Sequence, residues 1–255
     1  MKLITLNTWC GLAGRELLLS FFEKYKNDTE IFCLQEVWNG LHTEPEGFEN
    51  EDRGLDFSKT MIDGVNDMSK ILSDFVPFFR PHFLGHYGLL TFVRKDIKVV
   101  EEGEVWVYKN KDFVPKGDMG YHPRNIQYIK IDTIKGQRMI INFHGLWNGR
   151  GKSDSEDRLL SSDNIVNFIK QQKAPIVFTG DFNLTPETES IKKFENIGLV
   201  NLIKTYDIKS TRTKYYVNTE PFADYTFVSP EIVVNKFSVL SDEVSDHAPL
   251  FLDFQ

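Results

Sequence analysis

At 255 residues the chain has room for one large domain or two small ones, and 41% hydrophobic residues with 21 Phe suffice for a sizeable core. A formal net charge of −7 argues against broad affinity for a polyanion, although a local basic groove or a bound cation reverses the sign at a single site. Cys10 and Cys33 both sit in apolar runs and read as buried thiols rather than a disulfide, and no cluster of Cys with His points to zinc.

In chain order, Lys2 to Leu6 alternates as a strand, and Arg15 to Tyr25 places Leu17, Leu18, Phe21, Phe22 and Tyr25 at helical spacing. The opening apolar stretch is too short for a signal peptide, and no segment approaches the ~20 apolar residues of a membrane span. The expectation is a cytoplasmic, monomeric protein without stable membrane insertion. Ile31 to Val37 is a second strand that delivers Glu36 at its end. Asn39 to Ser58 is a long acidic loop without a period, expected to be a mobile flap beside a cleft. Thr60 to Phe75 is predicted helical. Strands follow at Gly88 to Val93, Gly103 to Tyr108, Ile126 to Ile131 and Arg138 to Phe143, with a flexible connection from Lys111 to Pro123. Asp154 to Gln172 and Glu187 to Phe194 are predicted helices on either side of a buried strand, Pro175 to Thr179. Strands at Asp224 to Val228, Ile232 to Leu240 and Pro249 to Phe254 close the chain. Helices interspersed among more numerous strands favour mixed sheets packed together with helices outside, in one domain spanning 1–255.

Polar residues at the ends of apolar strands carry the chemistry, because strand tips are rigid platforms. Glu36 interrupts the apolar run Leu34-Gln35-Glu36-Val37-Trp38, where a lone carboxylate is costly unless paired or bound to metal. Asn7 ends the first strand, where a simple turn-forming role is the plain alternative. Asp181 and Asn183 in Gly180-Asp181-Phe182-Asn183 are two apart and face the same way in extended backbone, so one can orient a water while the other donates to a phosphate oxygen. Asp246 and His247 are neighbours and face apart. His247 then needs a carboxylate from elsewhere, for which Asp224 is the candidate, while Asp246 is free to reach a metal. His144 ends another strand and can reach a scissile phosphate. His42, His82, His86 and His122 are read as surface residues. Carboxylates and amide oxygens without thiolates suit Mg²⁺ or Mn²⁺ and metal-assisted hydrolysis of a phosphate ester. No Walker loop, GxSxG or GxGxxG is present.

The words LNTW at Asn7, LQEVW at Glu36, NFHG at His144, GDFN at Asp181 and Asn183, DYTF at Asp224 and SDHAP at Asp246-His247 resemble, in order and separation, the endonuclease/exonuclease/phosphatase superfamily over nearly the whole chain. The resemblance implies a four-layer α/β sandwich of two packed mixed β-sheets flanked by helices. It implies Glu36 as the main metal ligand with Asn7 and Asp246 nearby, Asp181 and Asn183 orienting water and phosphate, Asp224 paired with His247, and His144 on the phosphate. Attack would be in-line, without a covalent enzyme intermediate.

Trp9 stands where apurinic endonucleases of that superfamily carry an Asp, and those enzymes lack the histidine of the NFHG word, so the chain leans toward the deoxyribonuclease I and neutral sphingomyelinase side. Tyr87, Arg124 and Arg212 are further candidates for substrate contacts, Arg212 because it precedes Tyr215 and Tyr216 and could bind phosphate beside a stacked base. The leading expectation is a nuclease or related phosphodiesterase. A phospholipid or small phosphoester hydrolase is the alternative, favoured by the acidic charge, and an inactive binding module that keeps the fold is a third.

Overall fold

Alternating inward-facing residues build two six-stranded sheets that close on each other. The computed structural model describes residues 1–40, 58–115 and 119–255. The loop expected to be a flap therefore lies almost wholly outside the described residues, as do residues 116–118 of the expected flexible connection. The strands are β1 Lys2–Asn7, β2 Ile31–Trp38, β3 Phe75–Phe83, β4 Tyr87–Arg94, β5 Val99–Tyr108, β6 Arg124–Thr133, β7 Gly136–His144, β8 Ile176–Asp181, β9 Val200–Asn201, β10 Asp224–Val228, β11 Val234–Val239 and β12 Leu250–Phe254. The helices are α1 Arg15–Tyr25, α2 Gly64–Ile71, α3 Glu156–Lys170, α4 Glu189–Asn196 and α5 Leu202–Thr205. One sheet runs β11-β12-β1-β2-β4-β3 and the other β5-β6-β7-β8-β10-β9. Each is mixed, parallel at β1/β2 and at β7/β8 and antiparallel elsewhere.

The outer faces bury against helices. Ile4, Leu6, Phe32, Leu34, Leu90 and Phe92 pack with Leu18, Phe21, Phe22 and Met68 of α1 and α2. On the other side Phe178 meets Phe194 of α4 edge-on, with ring centroids 5.2 Å apart. The four-layer sandwich expected from the resemblance is the architecture found.

The inner faces are graded along their strands. Leu3, Thr5 and Asn7 on β1 lie beside Ile31, Cys33 and Gln35 on β2. Ile140, Asn142 and His144 on β7 lie beside Val177, Thr179 and Asp181 on β8, which face Val228, Thr226 and Asp224 on β10. β1, β7, β8 and β10 thus each carry an apolar residue at the bottom and a hydrogen-bonding residue in the middle, while β2 has Cys33 in the middle and Gln35 at the top, whose amide reaches Thr5 and Asn142 of the middle level. On β1, β7, β8 and β10 a candidate site residue stands at the top. The middle rung is a buried network across the two sheets. Asn142 accepts from Gln35 Nε2 at 2.6 Å and gives its own amide to the Leu34 carbonyl at 3.1 Å. Thr91 donates to Gln127 Oε1 at 2.7 Å, and Gln127 Nε2 to the Phe78 carbonyl at 2.7 Å.

Two predicted helices differ in extent, and three elements appear that the sequence does not predict. The helix expected over 60–75 is confined to Gly64–Ile71, and Phe75 begins β3, a strand that was not anticipated. Pro77 and Pro81 within it argue against a central strand, and β3 is an edge, where a missing N–H costs no ladder bond. β9 and α5 were not anticipated either. The helix expected from Glu187 starts at Glu189, because the Thr188 hydroxyl caps it by accepting from Ile191 N at 3.4 Å.

Candidate active site

Glu36 reaches the cleft through a bulge. The β2/β4 register shifts between Leu34 and Val37, and Glu36 adopts φ +57°, a left-handed conformation that non-glycine residues avoid. Thr8 secures it from β1, its hydroxyl donating to the Gln35 and Glu36 carbonyls at 3.0 Å each. Asn183 is strained in the same sense, with φ +53°, and is held by its own N–H donating to Asp181 Oδ1 at 2.8 Å. Gly180, at φ +140°, has no alternative: a Cβ there would stand 2.0 Å from the Phe143 carbonyl oxygen. Both acidic words therefore carry a left-handed residue, as do Trp9 and Cys10 beside them on the cleft side of β1 and three loop positions elsewhere, Leu84, Lys109 and Asp207.

Asp181 is the centre of the arrangement. Its Oδ2 accepts from Asn7 Nδ2 at 2.9 Å and lies 3.6 Å from His247 Nε2 and 3.7 Å from His144 Nε2. Asn7 also donates to Glu36 Oε1 at 3.0 Å, while its own Oδ1 accepts from Trp9 N at 2.9 Å. Asn7 consequently turns its amide nitrogen, not its oxygen, toward the two carboxylates. His144 Nε2 stands 3.7 Å from Glu36 Oε1, and its Nδ1 is buried without a hydrogen-bond partner. His247 Nδ1 is 2.8 and 2.9 Å from the two oxygens of Asp224, the carboxylate partner expected for it. Asp246 Oδ2 accepts from Arg212 Nη1 at 3.1 Å, and its Oδ1 is 3.7 Å from His247 Nε2.

Burial and charge set the protonation states. Burial, with the nearby carboxylates of Asp246 and Asp181, pushes Glu36 above the usual carboxylate range against the Asn7 hydrogen bond. Burial also opposes ionisation of Asp181, but nearby positive charge, that of His247 foremost with Arg212 and Lys152, outweighs it and holds that carboxyl low. Burial would lower His247, yet Asp224 raises it. Burial and the Arg124 charge bring His144 down to about 3, so it is neutral near pH 7.

The cleft encloses about 450 Å³ and is lined by all the site candidates except Asn7 and Asp224, which lie behind its surface. Tyr87 is 8% exposed and packs on Trp38, with centroids 5.1 Å apart. Arg124 is fully buried beneath the floor, donating to the carbonyls of Gly145 at 3.0 Å and of His122 and Pro123. Arg212 stacks on Tyr216 with its guanidinium carbon 3.9 Å from the ring centroid. The surface reading fails for His82 and His122, which are 1% and 8% exposed and lie beside His144 and Tyr87. His82 belongs to the unanticipated strand β3. Lys152 lines the cleft unanticipated, because a lysine in a glycine-bearing loop carries no periodic signal.

The donor set fits a hard divalent cation: Glu36 and Asp181 carboxylates with His144 come within 4.8 Å of one another, and Asp246 lines the same cleft. Carboxylates this close repel one another unless a cation or proton intervenes.

By sequence, the Endonuclease/Exonuclease/phosphatase family model matches residues 4–247. None of the curated proteins compared matches the chain by sequence. By structure, the chain is similar to an endonuclease/exonuclease/phosphatase family protein of Bacteroides thetaiotaomicron, with TM-score 0.75 and 20% identity over 100% of this chain and 94% of that one. A mannosyl-6-phosphatase of the same organism gives TM-score 0.74 and 20% identity over 100% and 99%. The human Nocturnin catalytic domain, solved with a bound sulfate anion, gives 0.68 and 17% over 100% and 94%.

Proposed function

The chain belongs to the endonuclease/exonuclease/phosphatase family, a superfamily of phosphoester hydrolases, and from that premise we propose that residues 1–255 act as one catalytic domain that hydrolyses a compact phosphate ester with a divalent cation, Mg²⁺ or Mn²⁺. The observation that carries this reading is the convergence of Asn7, His144 and His247 on a single oxygen of Asp181, which burial alone would disfavour. Glu36 and Asp246 would hold the cation. Asn7, whose oxygen is taken by the Trp9 amide, orients the carboxylates of Glu36 and Asp181. A cation bound there supplies Lewis-acid charge to a phosphoryl oxygen. Asp181, kept ionised, orients the attacking water and accepts its proton. His247, its charged form favoured by Asp224, donates to a phosphoryl oxygen, and neutral His144 with the Asn183 amide donates to others. A cavity of about 450 Å³ suits a small substrate better than a polymer lying across the surface.

A nuclease that takes the end of a strand is the second reading. Trp9 and Tyr215, at the cleft with ring centroids 6.4 Å apart, favour it because bases stack on such rings. The test assays purified protein with Mg²⁺ or Mn²⁺ on small mono- and diesters, DNA, RNA and sphingomyelin, beside Glu36→Ala and His247→Ala. Metal-dependent turnover lost in both variants is expected. Metal binding without turnover of any ester would favour a binding module instead.

A further inference from the structure

Two cations on the cleft wall have no substrate contact in the chemistry above. Lys152, in the loop after β7, is 3% exposed. Its ammonium donates to the Phe222 carbonyl at 3.1 Å and lies 4.9 Å from the centroid of the Tyr216 ring. Among the described residues no carboxylate stands within ion-pair distance of it. The Arg212 guanidinium lies on the same ring, 7% exposed, and spends one Nη on Asp246 while its Nε is buried without a partner. Tyr216 is itself held by donating to Glu220 Oε2 at 3.1 Å. A buried ammonium without a carboxylate, beside a buried guanidinium with an idle N–H, is unfavourable unless an anion arrives. Burial and the Arg212 charge bring Lys152 down to about 8, against the opposing pull of the Asp181, Asp224 and Glu220 carboxylates.

Both cations line the same cleft as Asp181, His144 and His247, so an anion held by them lies in the pocket of the reacting centre rather than at a remote site. A phosphate diester offers two non-bridging oxygens and one negative charge; a monoester offers three and up to two. We propose that Lys152 and Arg212, aligned on Tyr216, form a subsite for the third phosphoryl oxygen and select a terminal phosphomonoester over an internal diester. An esterified oxygen in that position would leave buried donors unpaired, which is how a polar pocket rejects a close analogue. The reaction balances with water alone. Its oxygen bonds to phosphorus as the ester P–O bond breaks, its proton passes by way of Asp181 to the departing alkoxide, and inorganic phosphate and an alcohol leave.

This inference rests on the hydrolase reading, and the experiment separates the two. Full-length protein is assayed with Mn²⁺ on p-nitrophenyl phosphate and bis-p-nitrophenyl phosphate, and inorganic phosphate is titrated into it calorimetrically. Lys152→Met should lower kcat/KM for the monoester by about ten times more than for the diester, and weaken phosphate binding about 10- to 100-fold, the worth of one charged hydrogen bond. Lys152→Arg should restore most of both. Equal losses on the two esters, or unchanged phosphate affinity in Lys152→Met, would overturn the subsite. Wild type inactive on both esters would sink the hydrolase reading, and the phosphate titration would still decide the subsite. If Lys152→Met does not fold, Lys152→Gln, which removes the charge but keeps a donor for the Phe222 carbonyl, gives the same readings.

Discussion

The middle and top rungs of the inter-sheet face stand two residues apart on the same strands, yet they treat their polar groups differently. In the middle rung Thr91, Gln127 and Asn142, joined by the Gln35 amide from the level above, satisfy one another and nearby carbonyls, and Gln35 Oε1 is the one side-chain acceptor of these four left over. At the cleft, His144 Nδ1 and Arg212 Nε are buried without partners, and Lys152 has only a carbonyl. Both rungs are equally hidden from bulk water, so burial does not distinguish scaffold from site. Satisfaction separates these two groups: the middle-rung amides spend their donors on one another and on carbonyls, while at the cleft His144 Nδ1 and Arg212 Nε keep theirs unspent.

The sharpest break would come from the top rung. Asp181→Asn keeps the size of the side chain and removes the proton acceptor. Steady-state kinetics should show kcat/KM down by about 10²–10⁴-fold, the usual range for general acid–base groups, with the melting temperature little changed. Chelating the divalent cation should abolish turnover reversibly. Unaltered activity in Asp181→Asn would make the convergence on its Oδ2 a structural feature.

The middle rung should respond in the opposite way. Asn142→Leu strips partners from Gln35, Thr91 and Gln127 while fitting the volume. Denaturant unfolding should show a loss of about 1–3 kcal/mol, the cost of leaving buried groups unpaired. Activity per folded molecule should fall far less than in Asp181→Asn. If instead activity collapsed and stability held, the division between the rungs would be wrong.

The sequence disclosed the top rung because four of its members, Asn7, His144, Asp181 and Asp224, are strand-end residues, and an abrupt polar residue after an apolar run is visible in one dimension. Plain alternation would have pointed Gln35 inward and Glu36 away; only the bulge and the φ of +57° bring Glu36 round, and neither is written in residue type. β3 was hidden by its two prolines, whose harmlessness depends on an edge position that topology assigns. With β3 went His82, read as a surface residue when it is buried against His144 and His122. Lys152 was invisible because its meaning comes from Arg212 and Tyr216, more than 50 positions away.

Lys152 also offers the gentlest test of the comparison. Its ammonium, brought down to about 8 by burial and by Arg212, is charged below that pH and neutral above it. The charged form binds an anion more strongly, so affinity for a phosphate ester is full at neutral pH and weakens as pH rises through about 8. The kcat/KM profile of the free enzyme should carry a falling alkaline limb there, several-fold rather than orders of magnitude, because Arg212 remains charged. Lys152→Arg, whose guanidinium keeps its proton, should flatten that limb while leaving the acid side in place. A limb that survives the substitution unchanged would assign it to another group and return Lys152 to the scaffold, with its carbonyl bond as its whole role.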